Sequence, residues 1–130
     1  MAVSRSFGDF EYKGNMELGV EEQAVVAVPE IRIHTRDAER DMYLVLACDG
    51  VWDVMSSQEV GDFVVSRAKV AIEAEEQDVL PKVGDALLEE CLQRGSMDNM
   101  TTIIVALSKT AESLGGSSAL RGTSLDFQTE

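Results

Sequence analysis

Two acidic residues stand where a carboxylate is aimed by its surroundings. Asp49 follows the apolar run Met42 to Cys48 and precedes Gly50, and Asp98 stands just before a second apolar run, Met100 to Leu107. A carboxylate at a strand end takes its direction from a fixed backbone, and an adjacent glycine lets a ligand or another segment come close. Asp53 comes four residues after Asp49, with Trp52 between them to pack the loop. If the two apolar runs are neighbouring strands, Asp49 and Asp98 meet at one end of a sheet. Oxygen ligands without histidine or cysteine suit hard cations such as magnesium, manganese or calcium. A plainer interpretation stands beside this one: Asp49-Gly50 is a hairpin-turn pair, and Asp98-Asn99 a turn at a strand entry.

Other chemistries find less support. His34 is the single histidine, which leaves no ordinary triad to assemble. Cys48 lies in an apolar run, a setting that raises a thiol's pKa and makes it a poor nucleophile. Cys48 and Cys91 are far apart and read as buried thiols in a reducing compartment, which points to the cytoplasm or nucleus. Ser4 and Arg5 are polar enough to touch phosphate, but an isolated pair in a loop identifies nothing by itself.

The elements that must position these residues follow from patterning. Met1 to about Val20 carries Gly8, Gly14 and Gly19 and reads as loop. Val25 to Val28 and Glu30 to Thr35 read as short strands broken at Pro29, the second alternating Ile31 and Ile33 with Arg32 and His34. Met42 to Cys48 is continuously apolar and is expected to be buried on both faces. Ser56 to about Glu73 predicts a helix with a Ser56-Glu59 capping box and an apolar face of Val60, Phe63, Val64, Ala68, Ala71 and Ile72. A second helix starts near Asp78, tolerates Pro81 in its first turn, buries Leu80, Val83, Leu87 and Cys91, and stops at Gly95. Met100 to Leu107 predicts another interior strand. The order is strand, strand, strand, helix, helix, strand, an α+β layout over residues 1–107. Residues 108–130, rich in glycine, serine and threonine, read as a flexible polar tail.

The 130 residues carry 11 basic and 24 acidic side chains, a net charge of −13, with 45% hydrophobic residues. That balance permits a packed core and disfavours nucleic acid or an anionic membrane as partner. No apolar stretch approaches the ~18 residues of a membrane span, and the amino terminus lacks a basic-then-apolar export pattern.

Three ordered blocks resemble the metal-dependent protein serine/threonine phosphatases of type 2C: Ala2 to Asp9, continued to Lys13; Leu46 to Met55 (LACDGVWDVM); and Gly95 to Thr101 (GSMDNMT). The likeness runs from Ala2 to about Leu107. It implies a four-layer α-β-β-α sandwich of two antiparallel sheets, and hydrolysis of phosphoserine or phosphothreonine by water activated on two manganese or magnesium ions. Carried over by position, Asp49 and Asp98 match metal-binding aspartates. Asp53 matches an acidic position reached through metal-bound water or a weaker ion. Gly50 and Asn99 support the loops, while Ser4, Arg5, Gly8 and Asp9 adjoin the family's flap.

The resemblance also implies that this is the carboxy-terminal half of such a domain. The family's upstream motif of Asp-Gly-His-Gly-Gly type, which supplies a bridging aspartate, has no counterpart here. The expected partner is a phosphoprotein, with activity weak or absent in the fragment and self-association through unpaired strand edges. A non-catalytic regulatory or binding module, or an acidic divalent-ion-binding domain, is the alternative.

Overall fold

The structure is a computed structural model that describes residues 3–107, 110, 112 and 114, and the backbone of 120–125. The chain divides into two compact units, Met1–Thr35 and Arg36–Glu130.

The first unit is held by polar contacts. Arg5 and Val26 form an isolated parallel bridge, with the Ser6 amide donating to the Val26 carbonyl and the Val26 amide to Ser4, both at 3.0 Å. The Arg5 guanidinium donates to the Val28 carbonyl at 3.1 Å and pairs with Glu30. Lys13 Nζ donates to the carbonyls of Ser6 and Gly8, closing the loop that contains Phe10–Tyr12, a single 3-10 turn. The strands expected over 25–28 and 30–35 do not form. Alternation of Ile31 and Ile33 marks an amphipathic segment, but a strand exists only where its backbone finds a ladder partner. Here Ile31 is 79% and Ile33 95% exposed.

The second unit carries the core. Strand β1 (Tyr43–Ala47) leads into a one-turn helix α1 (Asp49–Trp52), followed by helices α2 (Ser57–Glu73) and α3 (Val79–Gln93) and strand β2 (Met100–Ala106). Strand β3 (Leu120–Leu125) completes an antiparallel sheet of order β1-β2-β3. It falls inside the segment read as tail, whose other residues, apart from 110, 112 and 114, lie outside the described ones. The α+β layout stands, with a strand the apolar pattern did not announce.

Both long helices form where the spacing places them. Ser56 caps α2 by accepting from the Glu59 amide at 3.3 Å, and the Glu59 carboxylate accepts from the Ser56 amide at 2.9 Å, a complete capping box. Val60, Val64, Ala68 and Ala71 are buried, with Phe63 and Ile72 half-covered against them. On α3 the four expected residues Leu80, Val83, Leu87 and Cys91 are buried, joined by Val79 and Leu88. Gly95 ends α3 at φ 91°, where its lack of a Cβ is required. The Gly95 amide reaches the Leu92 carbonyl at 2.9 Å and the Ser96 amide reaches Cys91 at 3.0 Å, a Schellman ending.

The helices cover one face of the sheet. Thr102, Ile104 and Ala106 of β2 are buried on that face, but Leu44 and Leu46 of β1 are 51% and 49% exposed on the other. Their register partners Val105 and Ile103 are half-exposed there. The expectation that β1 is buried on both faces is therefore corrected. A continuous apolar run shows that both faces tolerate burial, and the described residues supply a covering layer for only one. Among them, no helix is long and apolar enough to cross a membrane.

Arg94 locks the end of α3 to the start of α2. Its guanidinium pairs with Glu59 at 2.6 Å and Glu90 at 2.8 Å and donates to the Val54 carbonyl at 3.4 Å. The Arg94 hydrogen bond, then those from Ser56, hold the Glu59 carboxyl at about 2, well below its ordinary 4.5. Because the folded value is the lower one, this contribution is complete above about pH 4.5 and is lost as pH falls towards 2. Denaturant unfolding between pH 5 and 2 is expected to show a shallower acid loss for Glu59→Gln than for the parent chain. Ser56→Ala, which removes the cap oxygen, should cost about 1 kcal/mol at neutral pH.

Candidate metal and catalytic site

The antiparallel pairing of β1 and β2 sets Ala47 opposite Thr102, so the end of β1 and the start of β2 lie at one edge of the sheet. Asp49 opens α1 just past the first, and Asp98 stands just before the second. The extended backbone of Cys48 (φ −81°, ψ 177°) turns the strand into the helix. The Asp49-Gly50 pair is thus a helix start, and the hairpin interpretation is set aside.

Gly50 is where the two acidic segments touch. A Cβ added there would lie 2.8 Å from Met100 Cγ, 3.0 Å from the Asn99 carbonyl oxygen and 3.3 Å from Asp98 Cβ. Real Cβ atoms do not approach backbone oxygen and packed methylene groups that closely, so only glycine lets α1 rest on this segment. Cys48 fastens the same junction. Its amide donates to the Thr101 carbonyl at 3.2 Å and its thiol to the Asn99 carbonyl at 3.4 Å, while the Thr101 amide donates to Sγ at 3.3 Å. The expectation of a simply buried thiol holds for Cys91. Cys48 is half-buried and bridges two backbone segments.

The carboxylates point outward from this junction. Asp49, Asp53 and Asp98 are all exposed. Asp49 Oδ1 accepts from the Gly50 amide at 3.2 Å, and Asp98 Oδ1 from the Asn99 amide at 2.7 Å. Asp53 is one helical turn beyond Asp49, its amide donating to the Asp49 carbonyl at 2.8 Å. Trp52 is 38% exposed and anchors the turn by donating its indole N–H to the Ala47 carbonyl at 2.8 Å.

All-oxygen donors at a solvent edge fit a hard divalent cation in kind. In number they do not complete a shell: among the described residues, no group of three His, Cys, Asp or Glu side chains is placed to hold a metal ion. Asp49 and Asp98 are thus two exposed carboxylates on segments that meet at one sheet edge, with Asp53 one helical turn beyond Asp49.

Ser4, Arg5, Gly8 and Asp9 form a loop within the first unit. Arg5 Nη1 donates to Ser4 Oγ at 3.3 Å, Ser6 Oγ donates to Asp9 at 2.7 Å, and Gly8 and Asp9 take φ values of 74° and 52°. Sequence reasoning passed over Ser96, a buried polar residue whose hydroxyl donates to the Gly50 carbonyl at 2.7 Å. Its signals were its place directly after a helix-ending glycine and within the Gly95 to Thr101 block.

The tightness at Gly50 makes a sharp expectation. Gly50→Ala should destabilise the chain by about 1–3 kcal/mol through overpacking. Gly61→Ala on α2, where an added Cβ meets nothing within 4 Å, should be neutral or stabilising by up to about 1 kcal/mol. Parallel denaturant unfolding of the two variants checks both signs.

Comparison with known proteins identifies the family. Residues 1–100 match the family description of protein phosphatase 2C. The chain is 44% identical over 105 residues to human protein phosphatase 1A, covering 81% of this chain and 26% of that protein. It is 41% identical over 112 residues to the Caenorhabditis elegans protein phosphatase ppm-1.A, covering 86% and 23%. It is 40% identical over 130 residues to mouse protein phosphatase 1B, covering 100% and 31%. It thus spans between about a quarter and a third of the length of these relatives. By the match over residues 1–100 and by these identities, the chain belongs to the protein phosphatase 2C family.

Proposed function

We propose that this chain carries part of the active site of a metal-dependent protein serine/threonine phosphatase acting on phosphoserine and phosphothreonine in a phosphoprotein. One observation supports the reading above others: the β1–β2 register and the Gly50 contact bring Asp49 and Asp98 to one sheet edge. In this reading the two carboxylates hold manganese or magnesium, and Asp53 acts at one remove, through water or on a weaker ion. The bound metal supplies an activated water and neutralises charge on the phosphoryl oxygens. The chain's own task is positional. Gly50 and Asn99 set the spacing of the carboxylates, and exposure leaves their oxygens open to a cation and to substrate.

The remaining ligands belong, in the same proposal, to the family's upstream segment, and isolated activity is weak or absent. A second sheet over Leu44, Leu46, Ile103 and Val105 would complete the four-layer sandwich, and the open apolar face supports it. The shortage of a third ligand favours one other reading, a non-catalytic module that binds a partner through the retained surface. The net charge of −13 disfavours nucleic acid and anionic membranes in either reading. Unpaired thiols suit a reducing compartment, cytoplasmic or nuclear.

Manganese-dependent hydrolysis of a phosphothreonine peptide is the deciding assay. Any activity is expected to fall to background in Asp49→Asn and Asp98→Asn and by about tenfold in Asp53→Asn. No hydrolysis at millimolar-range manganese would transfer the conclusion to the binding module. The uncovered sheet face and the β1 edge also predict self-association. Sedimentation is expected to show dimers or larger species, and a monodisperse monomer with full secondary structure would remove that part.

A further inference from the structure

We infer that Ser96 is a positioning residue: through its hydroxyl it sets Asp49 and Asp98 in their relative placement. The inference rests on the proposal that these two aspartates form one cation site, and it concerns a residue that touches neither carboxylate.

The observations converge on one hydrogen bond. Ser96 is 7% exposed, and its Oγ donates to the Gly50 carbonyl at 2.7 Å. A continuing α-helix would send the Val54 amide to Gly50, but that amide bonds Val51 instead, at 3.3 Å. The Gly50 carbonyl thus sits at the end of a one-turn helix, and the hydroxyl of Ser96 takes the place of the next turn. A buried carbonyl deprived of its donor is costly, so the bond is held firmly.

Its two ends are connected to the acidic residues by very short stretches of chain. Gly50 is covalently next to Asp49. Ser96 lies two residues before Asp98, and its own amide is tied into the α3 ending by the 3.0 Å bond to Cys91. The bond therefore links the helix bearing Asp49 to a fixed point at the end of α3, from which the Asp98 segment departs. The Gly50 contact with Met100, Asn99 and Asp98 limits how near the two segments come, and the Ser96 bond limits how far apart they move. Cys48 constrains the strand side of the junction, and Ser96 constrains the helix side.

The test uses the full chain with manganese as the probe, free ion being counted by electron paramagnetic resonance, and amide hydrogen exchange in the metal-free chain as a second readout. Ser96→Ala is expected to weaken manganese binding by about tenfold, the scale seen when a group supporting a metal ligand is removed. It should also speed exchange locally over 50–54 and 98–101, and Ser96→Thr, which keeps the hydroxyl, should restore binding. Val64→Ala provides the comparison, since it destabilises the core of α2 outside the Arg94 network and should leave manganese affinity unchanged. Undiminished affinity in Ser96→Ala would overturn the inference, as would an equal loss in Val64→Ala. If the parent chain binds no manganese, the cation proposal fails separately. Exchange then decides alone: local acceleration in Ser96→Ala supports the positioning role, and its absence overturns it.

Discussion

The packing of a glycine against a strand entry governs the organisation of this chain. Asp49 begins a helix, Asp98 precedes a strand, and the two elements touch where Gly50 has no side chain. Any other residue would have to displace Met100 or the Asn99 backbone, both part of the segment that starts β2. A separation of a few ångströms between two backbones is thereby enforced by sterics, which are stiff, and not by charge, which is soft and screened at an exposed edge. The two acidic segments need no charge attraction to lie against each other. Their backbones are packed, and each carboxylate accepts the amide of the following residue, which limits its rotation.

The helices serve this junction from behind. α2 and α3 pack their apolar faces against each other, α3 also lies against β2, and Leu87, Leu88 and Cys91 are fully buried there. The Arg94 network fixes the carboxyl end of α3 beside the amino end of α2, and the Schellman ending sends the chain from that point towards Asp98. Burial thus fixes the platform, and a few directional bonds determine how the chain leaves it. The strongest of the charged contacts lie at helix ends, where they orient elements more than they contribute to the core.

The sheet is unevenly used. Its helix-facing side is a packed core, and its other side presents leucine, isoleucine and valine half open to solvent. A face of that composition is costly in isolation and useful as a contact surface. The first unit shows the same excess in a different form, with Phe7, Met16 and Ile33 each more than nine-tenths exposed. Apolar side chains that could bury, set on backbone held by polar bonds, are consistent with a family in which this sequence accounts for a minority of each relative's length.

Helix boundaries, the capping box, the buried positions of α2 and α3 and the strand-end places of Asp49 and Asp98 were legible in the sequence, because local spacing and caps act over a few residues. The strands at 25–28 and 30–35 were misread and β3 was missed, because a strand needs a partner that lies elsewhere in the chain. One-sided burial of β1 was equally hidden, since a wholly apolar run has no polar face to signal solvent. By itself the sequence determined which residues can form helices, where they stop and which aspartates end the strands. Only the tertiary structure decided that the segments bearing Asp49 and Asp98 meet, that Gly50 is the point of contact and that the Ser96 hydroxyl bonds the Gly50 carbonyl. Those depend on the register of two strands some fifty residues apart, and no local pattern encodes a register.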